Sequence, residues 1–261
     1  MTAVLDETLD HVAILTLNRP DTLNALTPDT ARELGEHLER AAADPVVRAV
    51  VVTGAGSAFS AGGDIRFLEA LPSLPVTELA EVVYRAFQRP IRAMRSMEKP
   101  VIAAVNGAAV GAGCELAIAA DFRIASTAAR FGEVWIRLGC IPALGGMFLL
   151  PRLVGLGRAT EMIMTGEIVE AEEARRIGLV GRVVAPDALR DAALDLARRL
   201  AAGPTRALAA AKAALNRGLS SNLWAELEST VPLQLSCFAT RDFAEGVRAL
   251  AERRPPRFTG G

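Results

Sequence analysis

Two short, continuously apolar segments limit the possible fold of this chain more than any other feature. VRAVVVTG covers residues 47–54, and VIAAV covers residues 101–105. Such short runs without polar alternation are typical of strands that are buried on both faces, as in parallel sheets. Helical patterns at residues 27–44 and 76–97 precede and separate them. The alternation predicts an α/β fold with crossover helices.

The remaining segments extend this prediction. AVLDE and VAILTL predict a hairpin near the start of the chain, and DFRIAS predicts a third buried strand. From Met147 onward nearly everything has a helical pattern, and two predicted helices end at Gly203 and Gly218, as helices with glycine caps do. The last fifty residues therefore look like a helical appendage rather than a second core.

Charge and cysteine content argue against several classes of protein. The net charge is −1 with the two signs interspersed, so a nucleic-acid-binding surface is not expected. No apolar run approaches the length of a bilayer span. Cys114, Cys140 and Cys237 have no metal-ligand spacing. We predict a cytoplasmic protein without a metal or redox cofactor.

Histidine content argues against nucleophilic catalysis. The chain has only two histidines, His11 beside the predicted hairpin turn and His37 on a polar helix. Both are predicted to lie on the surface. A Ser-His or Cys-His mechanism is therefore not expected.

Two glycine-rich loops follow the buried strands, at the strand ends where α/β sheets bind ligands. They are TGAGSAFSAGGDI at residues 53–65 and NGAAVGAGCEL at residues 106–116, and neither matches a nucleotide-binding motif. Small residues allow a ligand to approach backbone N–H groups. Two N–H groups that converge on a carbonyl oxygen form an oxyanion hole, in which one donor contributes about 3 kcal/mol to transition-state stabilisation. Glu115, in the first turn of a predicted helix, would then be a general base.

Several ordered motifs resemble the crotonase (enoyl-CoA hydratase/isomerase) superfamily along nearly the whole chain. They are LNRPDTLNAL, VVVTGAGSAFSAGGDI, KPVIAAVNGAAVGAGCELAIAADFRIAS, FGEVWIRLGCIPALGG, GRATEMIMTGEIVEAEEARRIGLVGRVV and FAEGVRALAERRPPRFTG. The resemblance implies a spiral of ββα turns, with an acyl-CoA-binding core at residues 1–200 and a helical trimerisation region at residues 201–261. It also implies a homotrimer or homohexamer that stabilises the enolate of an acyl-CoA thioester, with CoA arriving as part of the substrate.

The resemblance also assigns roles to individual residues. The oxyanion-hole donors would be the N–H groups of Gly63 and Ala112, and Glu115 falls on the first catalytic glutamate. The predicted substrate-binding residues are Ala25, Ala61, Asp64, Ile65, Arg66 and Trp135. Ala25 and Ala61 match positions near the pantetheine and adenine.

One motif departs from the family pattern. Two-glutamate hydratases carry the second glutamate at the fifth residue of FGxPE, where this chain has Trp135 in FGEVW. Ala143 occupies a position where members with other chemistries have an aspartate. An indole neither activates water nor delivers a proton, so this departure argues against two-carboxylate hydration. Trp135 either shapes the acyl pocket or only fills space.

The simplest reaction for one carboxylate is proton transfer between Cα and Cγ of an enoyl-CoA. The alternatives are decarboxylation, thioester hydrolysis, or a non-catalytic CoA-binding subunit. Glu133 is interpreted as a solvent-facing or ion-paired residue rather than a functional one. Lys212 and the basic segment RRPPRF would contact CoA phosphates or be charged surface, and the sequence leaves both open.

Overall fold

The predicted strand–loop–helix segments form successive turns of a spiral in a computed structural model, which describes residues 2–261. The strands are β1 (Val4–Leu9), β2 (Val12–Leu17), β3 (Ala49–Gly54), β4 (Ala58–Ser60), β5 (Val101–Val105), β6 (Ala108–Val110), β7 (Phe122–Ser126), β8 (Arg130–Gly132), β9 (Val169–Glu170) and β10 (Arg182–Val184). The helices are α1 (Pro28–Ala43), α2 (Ile65–Ala70), α3 (Val76–Val82), α4 (Gln88–Ser96), α5 (Ala112–Ala119), α6 (Gly146–Val154), α7 (Leu156–Thr165), α8 (Ala171–Arg176), α9 (Leu189–Ala201), α10 (Thr205–Gly218), α11 (Leu223–Phe238) and α12 (Arg241–Ala251).

Two sheets organise the spiral. The larger has the strand order β1-β2-β3-β5-β7-β10, and the smaller has the order β4-β6-β8-β9. Within the larger sheet only β1 and β2 pair antiparallel. Each of three turns gives its first strand to the larger sheet and its second to the smaller, as β3 and β4, β5 and β6, and β7 and β8 do. The α/β fold with a spiral of ββα turns is confirmed.

The larger sheet is covered on both faces, as its apolar strands predict. All five residues of β5 are buried. Its Ala103 and Val105 belong to the main core, which also contains residues of α1, α4 and α5. On the other face, Ile102 packs in a second cluster with residues of α9.

Local signals explain where the first elements begin. Asp10 and His11 join β1 to β2 with φ angles of 50° and 67°, the left-handed conformation that tight hairpin turns require. Thr27 caps α1, because its side chain accepts a hydrogen bond from the Thr30 N–H at 3.2 Å. The helical pattern at residues 76–97 forms α3 and α4, which a π-helical turn at Val83–Phe87 joins.

The prediction for His37 is wrong, whereas His11 is exposed as predicted. His37 is buried on α1, and its Nδ1 lies 3.0 Å from Asp6 Oδ2. The polar sequence around His37 suggested an exposed helix, but α1 packs against β1, which supplies the carboxylate. A partner from a distant segment makes this burial possible.

Lys212 is neither a surface cation nor a phosphate contact, because it lies on the buried face of α10. Its Nζ lies 2.7 Å from Asp121 Oδ2 and donates to the carbonyl oxygens of Met94 and Lys99 at 2.8 and 2.9 Å. Burial lowers the pKa of Lys212, and Asp121 opposes that change. This ion pair ties α10 to the segment between α5 and β7.

We expect Lys212→Met to destabilise the fold by about 3 kcal/mol, because removing one partner of a buried pair leaves the other uncompensated. The midpoint of thermal unfolding should then fall by about 2–4 °C for each kcal/mol of stability lost. Arg206→Met, on the exposed side of the same helix, is the matched control and should leave the midpoint unchanged. Equal midpoints for the two variants would contradict the buried ion pair.

Candidate functional site

The two glycine-rich loops pack directly against each other. A Cβ added at Gly113 would lie 2.3 Å from the carbonyl oxygen of Ser60. A Cβ added at Gly62 would lie 2.6 Å from the Val110 carbonyl oxygen and 3.5 Å from the Ala112 nitrogen. Side chains at these glycines would force the loops apart. The sequence needs glycine here because two backbone segments share one narrow space.

Gly63 and Ala112 present N–H groups where these loops meet. The backbone on either side of Gly63 is held in place by Leu26. The Gly62 carbonyl accepts from the Leu26 N–H at 2.7 Å, and the Asp64 N–H donates to the Leu26 carbonyl at 2.9 Å. Ala112 is the first residue of α5, where helical N–H groups have no intrahelical acceptor. Within residues 2–261, neither N–H donates to a protein acceptor. Both groups are therefore free to bind a ligand oxygen.

Asn24 and Ser60 hold the first loop in place, and the sequence analysis did not single them out. Asn24 has a φ of 56° and is buried. Its Nδ2 donates to the carbonyl oxygens of Ala55 and Ala58 at 2.8 and 2.7 Å. Ser60 Oγ donates to the Asn24 carbonyl at 2.8 Å and accepts from the Gly62 N–H at 3.2 Å. Asn24 in LNRPDTLNAL is only a weak sequence signal for this role, because its hydrogen-bond partners lie more than thirty residues away.

Glu115 lies in the first turn of α5 and is fully buried. Its Oε1 accepts hydrogen bonds from the N–H groups of Leu144 and Gly146 at 2.7 and 2.8 Å, while its Oε2 has no partner in the described chain. Burial raises the pKa of Glu115 to about 7, although the two N–H donors favour the ionised form. The carboxyl group is thus anchored through one oxygen and free at the other.

The prediction that Glu133 faces solvent or forms an ion pair is wrong. Its side chain is fully buried, and neither carboxyl oxygen has a hydrogen-bond partner among residues 2–261. Burial and the neighbouring Glu115 carboxyl both raise its pKa well above the ordinary value. The inward direction follows from the turn after β8, and same-face alternation in an extended segment was a sequence argument for it that the surface interpretation outweighed.

Trp135 is half-buried and borders an apolar cavity of about 260 Å³. The Gly111 backbone lies close to the indole, since a Cβ built there would be 3.6 Å from Trp135 Cε2. Gly63 is among the residues that line the cavity. Its apolar wall includes Phe67, Leu71, Val82, Phe87, Trp135 and Ile141. Trp135 therefore both fills space and shapes this cavity.

The other predicted substrate-binding residues surround the same loop. Arg19 links two of them, because it donates to the Ala25 carbonyl at 2.6 Å and to Asp64 at 3.0 Å. Burial opposes ionisation of Asp64, but hydrogen bonds from Arg19 and the Arg66 N–H outweigh it and lower the pKa of Asp64. Asp64 also caps α2. The remaining residues are Ala61, which is partly buried, and Ile65 and Arg66, which are exposed.

A larger cleft of about 800 Å³ lies elsewhere, between α1, the start of β5 and the C-terminal tail. Its described lining includes Glu39, Lys99 and Thr259 but none of the predicted site residues. Among residues 2–261, no group of three or more His, Cys, Asp or Glu side chains could hold a metal ion. In the same part of the chain, no helix is both long and apolar enough to cross a membrane.

Comparison with known proteins supports the same interpretation. Residues 7–261 match the family model described as enoyl-CoA hydratase/isomerase. The chain belongs to this family. It is 39% identical over 256 residues to the crotonyl-CoA hydratase of Syntrophomonas wolfei. This match covers 98% of this chain and 97% of that protein.

Two further relatives show how widely the match extends. The 1,2-epoxyphenylacetyl-CoA isomerase of Escherichia coli is 37% identical over 260 residues, covering 100% of this chain and 99% of that protein. The crystal structure of an enoyl-CoA hydratase from Bacillus anthracis superposes with a TM-score of 0.93 at 33% identity, covering 99% of this chain and 100% of that chain. The protein is an acyl-CoA-processing enzyme of the crotonase type, and relatives of comparable identity are named for hydration and for isomerisation.

Proposed function

We propose that the enzyme transfers a proton between Cα and Cγ of an enoyl-CoA, with Glu115 as the base. The observation that carries this proposal is the position of Glu115, buried and anchored by two backbone N–H groups beside two N–H groups that have no protein acceptor. Trp135 occupies the sequence position of the second glutamate in FGxPE, and an indole does not accept a proton. One base can remove the proton at one carbon and return it at the other.

The Gly63 and Ala112 N–H groups stabilise the charge that this step creates. Removing a proton from Cα moves negative charge onto the thioester oxygen, and the two donors bind that oxygen more strongly as the charge grows. The small residues at Gly62 and Gly113 keep the two loops close enough for both donors to act. The loops and Glu115 thus act on the same intermediate.

The acyl group and CoA bind on different sides of Gly63. The apolar cavity beside Trp135 suits a hydrocarbon acyl group, because it reaches Gly63 and its wall is aliphatic and aromatic. CoA lies along Ala25, Ala61, Asp64, Ile65 and Arg66, and it arrives as part of the substrate. The proposed proton transfer needs no metal or redox cofactor.

The test is to mix the purified protein with a 3-enoyl-CoA and, separately, with a 2-enoyl-CoA. Isomerisation brings the double bond into conjugation with the thioester, which is followed by ultraviolet absorbance. We expect conversion of the 3-enoyl-CoA without release of CO₂ or free thiol. Release of either product would favour decarboxylation or thioester hydrolysis, and binding without turnover would favour a CoA-binding subunit.

Hydration is the second candidate, because a second buried carboxyl group, Glu133, lies next to Glu115. Adding water to a 2-enoyl-CoA needs one group to activate water and a proton for Cα. Loss of conjugated absorbance from the 2-enoyl-CoA, with formation of a 3-hydroxyacyl-CoA, would favour this reaction over isomerisation.

The reaction rate should depend on pH through Glu115, whose burial raises its pKa to about 7. The ionised form is the base, so kcat/KM should fall as pH decreases through about 7, by about tenfold for each further unit. A pH series with the 3-enoyl-CoA measures this acid limb. A constant rate down to the ordinary pKa range of glutamate would contradict the assignment of Glu115 as the base.

We also propose a homotrimer or homohexamer, with residues 201–261 as the oligomerisation region. The C-terminal helices expose large apolar side chains, including Trp224, Leu227, Leu235 and Leu250. Such side chains are typical of surfaces that other subunits cover. Sedimentation equilibrium tests this proposal, and a monomeric mass would contradict it. The three unpaired cysteines fit a reducing compartment such as the cytoplasm.

A further inference from the structure

Three carboxyl oxygens in the site are buried and have no hydrogen-bond donor among the described residues. They are Oε2 of Glu115 and both oxygens of Glu133. The two side chains share one space, because a Cβ built at Gly146 would lie 3.0 Å from Glu115 Oε1 and 3.1 Å from Glu133 Oε1. Buried carboxylate oxygens normally have donors. The indole N–H of Trp135 is buried beside both carboxyl groups and also has no partner in the described chain, but a single N–H leaves at least two of the three oxygens without a donor.

Among residues 2–261, no positively charged side chain compensates the charge that two ionised carboxylates would place in this pair. The titratable groups that face it are Cys114 on α5 and Cys140 in the loop before α6, and burial raises the pKa of both thiols. In the described chain, neither glutamate forms an ion pair with Lys, Arg or His. Two adjacent buried carboxyl groups in such surroundings do not both ionise, because like charges and burial each oppose it.

The hydrogen bonds decide which carboxyl group keeps its proton. Glu115 Oε1 accepts from the N–H groups of Leu144 and Gly146, which stabilise a negative charge there. Glu133 accepts from no backbone N–H in residues 2–261, and only the weakly donating Cys114 thiol and the Trp135 indole face it. The negative charge therefore belongs on Glu115 and the proton on Glu133.

We propose that Glu133 is a neutral carboxylic acid whose O–H donates to Glu115 Oε2, so that it positions the base and keeps it ionised. This assignment rests on Glu115 being the base of the proposed function. Glu133 is a positioning residue, because its proton stays within the pair and it acts on the substrate only through Glu115. The proton that the pair retains then accounts for two of the three oxygens, the one that carries it and Glu115 Oε2, and the indole N–H of Trp135 faces the third.

The proton count of the reaction follows from this arrangement. In the resting site the pair holds one proton, on Glu133, and has a charge of −1. When Glu115 removes the Cα proton, both carboxyl groups are neutral and the negative charge lies on the thioester enolate. When Glu115 delivers that proton to Cγ, the pair returns to its resting state. The proton of Glu133 never leaves the pair.

A direct test is infrared spectroscopy of the free enzyme at about pH 8.5, above the pKa of Glu115. The carbonyl stretch of a protonated carboxylic acid should be present in the wild type and absent in Glu133→Gln. Glu115→Gln is the matched control and should keep the band, because Glu133 remains buried. A wild-type spectrum without the band would overturn the proposal. This measurement needs no turnover, so its result is independent of whether the enoyl-CoA assignment is correct.

The pH dependence of turnover provides the second readout. The wild type should lose activity at low pH, as Glu115 is protonated, and again at alkaline pH, where Glu133 ionises. Glu133→Gln keeps a donor but cannot ionise, so it should keep activity within about threefold and lose the alkaline limb. Glu133→Leu removes the donor, which should lower activity by about tenfold or more and move the acid limb upward.

Two outcomes would contradict this positioning role. Unchanged pH profiles in both variants would show that Glu133 does not act through Glu115. Loss of activity in Glu133→Gln as complete as in Glu115→Gln would show that the proton of Glu133 is itself transferred to the substrate. Thermal unfolding of both variants identifies any loss that comes from misfolding.

Discussion

Glu115→Gln is expected to lower kcat/KM for a 3-enoyl-CoA by about 10²–10⁴-fold, because it removes the group that accepts the substrate proton. The fold should be unaffected. A glutamine oxygen still accepts from the Leu144 and Gly146 N–H groups, and the variant removes a buried charge rather than adding one. Steady-state kinetics measured by conjugated absorbance, together with thermal unfolding, tests both parts of the expectation.

The control for this prediction is Glu228→Gln, an exposed carboxylate on α11. It makes the same chemical change on the C-terminal helices, and its kinetics should match the wild type. Glu115→Gln should also still bind an acyl-CoA thioester in calorimetry, because the two N–H donors and the cavity remain. A fully active Glu115→Gln enzyme would exclude Glu115 as the base and support a CoA-binding protein or another mechanism.

Local patterns were sufficient to predict that Glu115 is buried in the first turn of a helix. The helix start at Ala112, the carboxylate three residues later and the preceding glycines all lie within one short segment. Burial of Glu115 followed from its small apolar neighbours in the sequence. These features are encoded within a few residues, so they are predictable from the sequence.

Features that depend on remote partners were not predicted. Lys212 and His37 lie on helices with polar patterns, yet Asp121 and Asp6 approach them from distant segments and make burial favourable. Glu133 is the clearest example. Its inward orientation comes from the turn after β8, and its significance depends on its distance from Glu115, which sequence separation does not indicate.

The smaller sheet was missed for a related reason. Its strands β4, β6 and β8 have three residues each, and two of them lie inside segments that the glycine content marked as loops. Strands this short have little pattern of their own, since their hydrogen bonds come from the preceding and following turns of the spiral. β9 and β10 likewise interrupt a region that was predicted to be nearly all helical.

Gly113→Ala sets two effects of opposite sign against each other. Alanine favours a helix over glycine by roughly 0.5–1 kcal/mol, which alone would stabilise α5. However, the new Cβ would lie 2.3 Å from the Ser60 carbonyl oxygen and 2.8 Å from Ser60 Cβ. Ser60 cannot move freely because its Oγ bonds to Asn24, and overpacking of this kind costs about 1–3 kcal/mol or more. We therefore expect a net loss of stability.

Gly113→Ala should also lose activity, by more than its loss of stability accounts for. Separating the loops moves the Gly63 N–H relative to the Ala112 N–H, and a displacement of about 1 Å in a positioned group can cost about 10²-fold in rate. Gly157→Ala is the matched control, because it lies in α7 with no heavy atom within 4 Å of the new Cβ. It should be neutral or stabilising by about 0.4–1 kcal/mol, with unchanged kinetics. If both variants instead unfold at the same temperature and turn over equally, the close contact that brings the two N–H donors together does not exist.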